Sequence, residues 1–249
     1  MKQKDLNQYF SLAKAAAVSA GKFLVAYKKD NLGIIHNIGK DIKISADREA
    51  EEIILNALTI KSNFPILSEE KGTAGSTKKS NWRWIVDPLD GSLNFFRGMP
   101  ICCVSIALWE KEKPLLGVIY DFNRGEMFSG VAGKGAWLNS KKISVSKTNN
   151  RKNAILTTGF PAQTSFSDAD LKKYIAYIKR FKKVRWLGSA ALSLAYVASG
   201  RADAYFEKDI MIWDVAAGLA ILAGAGGKYA IKKSNIKNAL IINAFNKYL

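Results

Sequence analysis

In Trp84-Ile85-Val86-Asp87-Pro88-Leu89-Asp90-Gly91-Ser92-Leu93-Asn94-Phe95 an apolar run stops at an aspartate followed by proline. Aromatic and β-branched residues suit a buried strand, so Trp84 to Val86 read as one that ends at Asp87. Pro88 has no amide hydrogen for a ladder and Gly91 tolerates unusual backbone angles, so the chain leaves the sheet here with two carboxylates three residues apart. Such a pair, fixed at a rigid strand end, can converge on one cation. The amides of Gly91 and Ser92 offer donors to an anion, most of all where a helix begins. Taken alone, the fragment reads equally well as an Asp-Pro turn closed by an Asx cap. The remainder of the chain has to decide.

Working outward, 249 residues are enough for one large domain or two small ones with a substantial core. No apolar run reaches the ~18–20 residues needed to cross a bilayer. The first residues carry Lys2, Lys4, Lys14 and Lys22 through an amphipathic pattern unlike a signal peptide, so the expected location is the cytoplasm. Cys102 and Cys103 are adjacent on an apolar strand and point to opposite faces, which makes them poor disulfide partners and buried thiols. The single histidine, His36, has no second one to work with, so a metal would be held by oxygen, favouring Mg²⁺ or Mn²⁺.

Lys and Arg number 38 against 21 Asp and Glu, a formal charge of +17, which raises the question of a nucleic-acid partner. The lysines are dispersed, with a modest cluster from Lys172 to Arg185, and no RNA-binding signature accompanies them. A solvated lysine-rich surface is the preferred reading, and a positive field that draws in anionic substrates is the next.

Along the chain, residues 5–28 have the spacing of a long amphipathic helix, and Asn31 to Lys43 read as a loop or irregular hairpin. There Lys40 and Asp41 are either solvated or part of a loop entering a site. A helix follows from Ile44 to Lys61, with Asp47 at its entry as a cap or first-turn residue. Phe64 to Ser68 is a short strand ending in Glu69-Glu70, and the Gly/Ser/Thr/Lys-rich stretch Lys71 to Asn81 reads as a mobile loop. Strands are expected at Ile101–Trp109, Leu115–Tyr120 and Glu126–Val131, with shorter pieces at Gly133–Asn139 and Ile143–Val145. A polar stretch at residues 147–152 separates two α/β halves of one domain. The second half reads as strand Ala154–Thr158, helix Asp168–Phe181 capped by Ser167, a short strand around Val184–Leu187, helix Ala190–Ala198 after Gly188-Ser189, strand Ala202–Phe206 ending at Glu207, helix Ala216–Gly224 after Trp213-Asp214, and a last strand, Ala239–Ile242.

Asp47, Glu69, Asp87, Asp90 and Asp214 each fall at a helix start or a strand end. In α/β folds ligands collect at such places, so a shared cleft is expected. Gathered without counter-charge, these carboxylates repel one another, and divalent cations are the simplest remedy. Phosphate-ester hydrolysis fits, since two metals about 3.5–4 Å apart can activate water on one side and steady the leaving oxygen on the other.

Asp87 to Phe95 resembles the first signature of the inositol monophosphatase family, an Asp-Pro-aliphatic-Asp-Gly-hydroxyl-x-Asn-aromatic pattern, and Trp213 to Gly218 is similar to its second. Ile44–Asp47, Ile66–Glu70, Gly188–Ala191 and Ala202–Glu207 match in order, so the likeness runs from about Ser11 to Ile242. It implies a layered α-β-α-β-α sandwich of the inositol monophosphatase and fructose-1,6-bisphosphatase type, commonly a homodimer. By the same carry-over Glu69, Asp87 and the Leu89 carbonyl hold one Mg²⁺, and Asp87, Asp90 and Asp214 a second, with a weaker third ion near Glu69 in relatives. The resemblance also implies a metal-activated water oriented by Asp47 and Ser92, where relatives more often carry threonine, and inhibition by Li⁺ and excess Mg²⁺. Asp90 and the amides of Gly91 and Ser92 would meet the substrate's phosphate end, and Gly188, Ser189, Ala190 and Glu207 its alcohol. A structural alternative for Glu207 is a salt bridge with a lysine.

The implied substrate is a small polyol phosphate, inositol 1-phosphate first. Histidinol phosphate, fructose 1,6-bisphosphate and 3′-phosphonucleotides are alternatives drawn from relatives. Phe96-Arg97-Gly98-Met99-Pro100 departs from the inositol-type pattern, and Arg97 either binds a second substrate charge or faces water, the latter preferred. Some bacterial relatives bind RNA polymerase or antitermination complexes, so a non-enzymatic role through the basic surface stays as the competing expectation.

Overall fold

The long apolar stripe near the N-terminus forms helix α1 (Gln3–Ala26), and the irregular segment after it is a hairpin of β1 (Ile34–Ile38) and β2 (Asp41–Ile44) with a register shift. The computed structural model describes residues 3–27, 34–38, 41–160 and 167–249. Lys40 lies outside them. Then come α2 (Ser45–Lys61), β3 (Pro65–Ser68), β4 (Gly72–Gly75), β5 (Trp82–Asp90), α3 (Ser92–Phe96), β6 (Cys103–Glu110), β7 (Lys113–Asp121), β8 (Glu126–Val131), β9 (Gly135–Leu138) and β10 (Lys141–Ile143). After a single 3₁₀ turn at Arg151–Asn153, the second half runs β11 (Ile155–Thr158), α4 (Asp168–Ile178), β12 (Lys183–Trp186), α5 (Ala190–Ala198), β13 (Ala204–Met211), α6 (Ile212–Gly224), β14 (Lys228–Lys233) and β15 (Ala239–Phe245).

Two large sheets result, an eight-stranded one in the order β10-β9-β8-β7-β6-β5-β3-β4 and a five-stranded one in the order β12-β11-β13-β15-β14. Side chains of successive strand residues face opposite ways, so each sheet feeds two cores. Trp84, Val86, Ile106 and Val118 pack with α1 and α2, while Ile85, Ala107, Ile119 and Phe128 pack with α5 and α6 against Tyr205 and Ile242 of the smaller sheet. The outer face of that sheet meets α4 through Leu156, Ala204, Tyr174 and Ile178. The expected α-β-α-β-α layering is therefore what the chain adopts. Cys102 and Cys103 are both free and buried, one in each of the first two cores.

Four elements differ from the sequence reading. Strand β5 does not stop at Asp87: Asp87 pairs with Ser105 and Asp90 with Cys103 across a bulge, and Pro88 falls inside the bulge, where no ladder amide is required. Residues 72–75 are not loop but an edge strand against β3, which had a free side to offer. Strand β14 is absent from the sequence reading because its lysines break the apolar signal; at a sheet edge they point to water. Strand β13 runs on to Met211, past a bulge where Asp209 takes φ 61°.

Helix α6 lies flush on the larger sheet because glycines leave room for it. A Cβ added to Gly117 would sit 2.2 Å from the Ala217 carbonyl oxygen, and one on Gly130 2.7 Å from the Ile221 Cα. Backbone against backbone cannot yield by a rotamer change, so Gly117→Ala is expected to cost about 3 kcal/mol or more. Thermal unfolding should show Tm falling by ~6–12 °C; an unchanged Tm would mean that α6 does not press on β7.

Candidate active site

Strands β3 and β5 run parallel, Ser68 beside Val86, so their C-terminal ends emerge together. The Glu69 amide donates to the Val86 carbonyl at 3.3 Å, which sets Glu69 next to Asp87. Helix α6 starts on the other side with Asp214 in its first turn, where the Met211 amide donates to its carboxylate. One carboxylate oxygen from each of Glu69, Asp87 and Asp214 lies within 4.8 Å of the other two. Three segments far apart in sequence thus meet at one point.

Asp47 uses the same device, as the third residue of α2. Its Oδ2 accepts the Ile44 amide at 2.8 Å and its Oδ1 the Ser92 hydroxyl at 2.9 Å. That hydroxyl is also 2.9 Å from the Leu89 carbonyl oxygen, so its one proton has two acceptors. Asp90 Oδ2 is held by the Ser189 hydroxyl at 2.5 Å and the Ala191 amide at 2.7 Å, the opening turn of α5. Gly91 stands at φ 93° and a Cβ there would lie 2.8 Å from the Ile101 carbonyl oxygen, so only glycine can follow Asp90. Asn94 ties the halves together, its Nδ2 donating to the carbonyls of Ile101 at 2.7 Å and Leu187 at 2.9 Å.

These groups border a cavity of about 270 Å³ that includes Glu69, Asp87, Leu89, Asp90, Gly91, Ser92, Gly188, Ser189, Ala190, Glu207 and Asp214. Asp47 joins it through Ser92. The five acids at helix starts and strand ends are therefore brought together with Ser92, Glu207 and the Gly188–Ala190 segment, while Arg97 is exposed at the end of α3. The charge logic of the site is unusual for a basic protein. Burial, then the charges of Glu69, Asp90 and Asp214, hold the Asp87 carboxyl well above the ordinary carboxylate range. Asp214 is raised in the same way, by burial first and then by Glu69 and Asp90. Asp90 reaches only about 6, because the Ser189 hydroxyl and the amides of Ala191 and Ala190 offset its burial. Burial pushes Glu207 up to about 8 against the hydrogen bond from Tyr205, 2.8 Å away. No lysine bridge to Glu207 occurs among the described residues. An all-oxygen set of mutually repelling carboxylates is the donor chemistry a hard divalent cation meets well.

Two features escaped the sequence reading. Thr158, Gly159, Ser193 and Ile210 also line the cavity, and Gly159 leaves space that a Cβ would fill 2.5 Å from Glu207 Oε1. A glycine directly after a short strand was the available signal. The other is Glu51, one turn beyond Asp47 and fully buried, whose Oε1 accepts the Ser68 hydroxyl and the amides of Glu70 at 3.0 Å and Lys71 at 3.2 Å. It grips the turn that carries Glu69; among three nearby glutamates nothing in the sequence set it apart.

The Inositol monophosphatase family model matches residues 5–240. The chain belongs to the inositol monophosphatase family. Among relatives in that family, the Nus factor SuhB of Xylella fastidiosa is 43% identical over 218 residues, covering 85% of this chain and 78% of that one. The fructose-1,6-bisphosphatase/inositol-1-monophosphatase of Aquifex aeolicus is 34% identical over 239 residues, covering 92% and 87%. The solved inositol monophosphatase of Anabaena superposes with a TM-score of 0.85 at 34% identity, covering 98% and 92%. The matched span contains every segment that meets at this cavity.

Proposed function

We propose that this protein is a Mg²⁺-dependent phosphomonoesterase for a small polyol phosphate, with inositol 1-phosphate the first substrate to try. The observation that carries this reading is the meeting of Glu69, Asp87 and Asp214 in one cavity with Asp90, Gly91 and Ser92. Glu69, Asp87 and the Leu89 carbonyl would hold one cation, and Asp87, Asp90 and Asp214 another. Bound there, divalent cations supply neutralising charge for the phosphoryl group and make a water more acidic. The protein's own part is to place the partners. Ser92 accepts a proton from that water as it passes its own to Asp47, whose other oxygen is already pinned by the Ile44 amide. The ester P–O bond breaks as the new one forms, and solvent protonates the departing alkoxide.

Gly188, Ser189, Ala190 and Glu207 form the wall facing the alcohol. The Ser189 hydroxyl is committed to Asp90, so Glu207 is the wall group left to meet substrate hydroxyls. Ser92→Ala should lower kcat about a hundredfold, the range for losing a positioned proton acceptor, with KM little changed. Equal rates would remove Ser92 from the proton path. The test of the whole reading is kcat/KM measured with Mg²⁺ across inositol 1-phosphate, histidinol phosphate, fructose 1,6-bisphosphate and a 3′-phosphonucleotide; no turnover on any of them overturns it.

A second reading follows from the Xylella relative, which is named a Nus factor. Here the basic surface, including Lys172 to Arg185, would meet RNA polymerase or RNA. Asp87→Asn separates the two readings: if phosphatase turnover is lost while polymerase or RNA binding persists and carries the cellular phenotype, the interaction is the working role. A homodimer is proposed on the family likeness, and sedimentation of the purified chain decides it.

A further inference from the structure

A second cavity, of about 500 Å³, lies where the end of the larger sheet meets the β14–β15 turn, and it shares no lining residue with the first. Trp109, Ile212, Ile231 and Leu240 give it an apolar wall, and Arg83, Lys233 and Lys237 line it as well. The indole of Trp109 is fixed by a hydrogen bond to the Ala216 carbonyl at 3.2 Å, so that wall is rigid.

Arg83 is the anomaly. It is half-buried, its Nε is enclosed without a hydrogen-bond partner, and among the described residues it makes no ion pair. Burial lowers the pKa of its guanidinium, partly offset by Glu112. The enclosed Nε is costly while it stays unpaired, and it belongs to a fixed fork of donors whose geometry suits an anionic group. Glu112 does not pair with it: that carboxylate is 73% exposed and bonded to Lys233 at 2.7 Å. Three cations against one carboxylate leave the cavity positive.

We propose that this cavity is a second ligand site, for a small organic anion with an aromatic or branched apolar body. Its carboxylate, sulfonate or phosphate group meets the Arg83 fork and its body lies along Ile212, Ile231 and Leu240. The proposal is independent of the phosphatase reading. Its position still bears on the first cavity: Arg83 stands four residues before Asp87 on β5, and Ile212 two residues before Asp214 on α6.

The probe is naphthalene-1-sulfonate, titrated calorimetrically into the full chain with Mg²⁺ present. Saturable binding of one molecule per chain is expected, with the neutral analogue naphthalene-1-methanol about tenfold or more weaker. Arg83→Met should weaken the sulfonate about tenfold or more and keep the fold, since the guanidinium has no partner to lose. Arg83→Lys keeps charge without the fork and should weaken it about threefold or more. Glu112→Gln removes the competing anion and should tighten binding. Absence of saturable binding, or an affinity unmoved in both Arg83 variants, as it would be with the sulfonate in the first cavity, overturns the proposal.

Discussion

Asp214→Asn is expected to lower turnover of the best phosphate ester by roughly a thousandfold or more, about 4 kcal/mol of barrier, at any Mg²⁺ concentration. Asparagine has nearly the same shape and its carbonyl oxygen can still accept the Met211 amide, so the first turn of α6 has no reason to unwind. What disappears is one anionic donor from a site whose role rests on gathering them. The metal-free variant should melt no lower than the wild type, because a buried like charge has gone with that oxygen. The pair of results matters: a slow variant with a low Tm would be a folding defect, whereas a slow variant with an unchanged or higher Tm places Asp214 in the chemistry. Asp90→Asn is expected to behave alike, and near-normal rates in both at saturating Mg²⁺ would sink the assignment of these residues as ligands.

The second large effect is a pH dependence of stability that a cation reverses. Asp87, Asp90, Asp214 and Glu207 all have folded-state pKa values above their ordinary ones, burial being the first cause in each. A carboxyl raised in this way favours the fold while it is protonated, and that stability is lost as pH rises through the folded value. For the two groups with defined values the window runs from about 4, near their ordinary pKa, to about 6 for Asp90 and about 8 for Glu207. A tenfold difference in proton affinity between folded and unfolded chain is about 1.4 kcal/mol, so several kcal/mol is an upper bound before relaxation and water entry reduce it. Cations bound to the carboxylates act in the opposite direction, since they favour the ionised form. The gap in Tm between Mg²⁺-loaded and chelated protein should therefore widen from pH 5 to pH 8, by ~5 °C or more. Taking the difference at each pH cancels the general repulsion of a +17 chain. A gap that stays constant or narrows contradicts the collected-carboxylate account.

Much of this site is legible in the sequence alone because its carboxylates sit where local rules and chemistry coincide. Asp47 and Asp214 are first-turn acids that any helix would accept, and Asp87 precedes a proline and Asp90 a glycine that announce a change of direction. The layering is what the family likeness implies. What stays hidden depends on non-local pairing. Strand β14 is legible only once β15 is there to pair with, and residues 72–75 become a strand only because β3 has an open side. The continuation of β5 past Pro88 needs the partner strand β6 to show where the bulge falls. Glu51 escapes for a related reason: its importance lies in three donors from a turn 17 to 20 residues away, which no helical period encodes.

That glutamate gives α2 a mechanical part. Asp47 reaches Ser92 from the first turn of the helix, and Glu51, on the next, clasps the Glu69 turn. One rod therefore steers two arms of the site at once, and sliding it by a single turn would disengage both like a clutch.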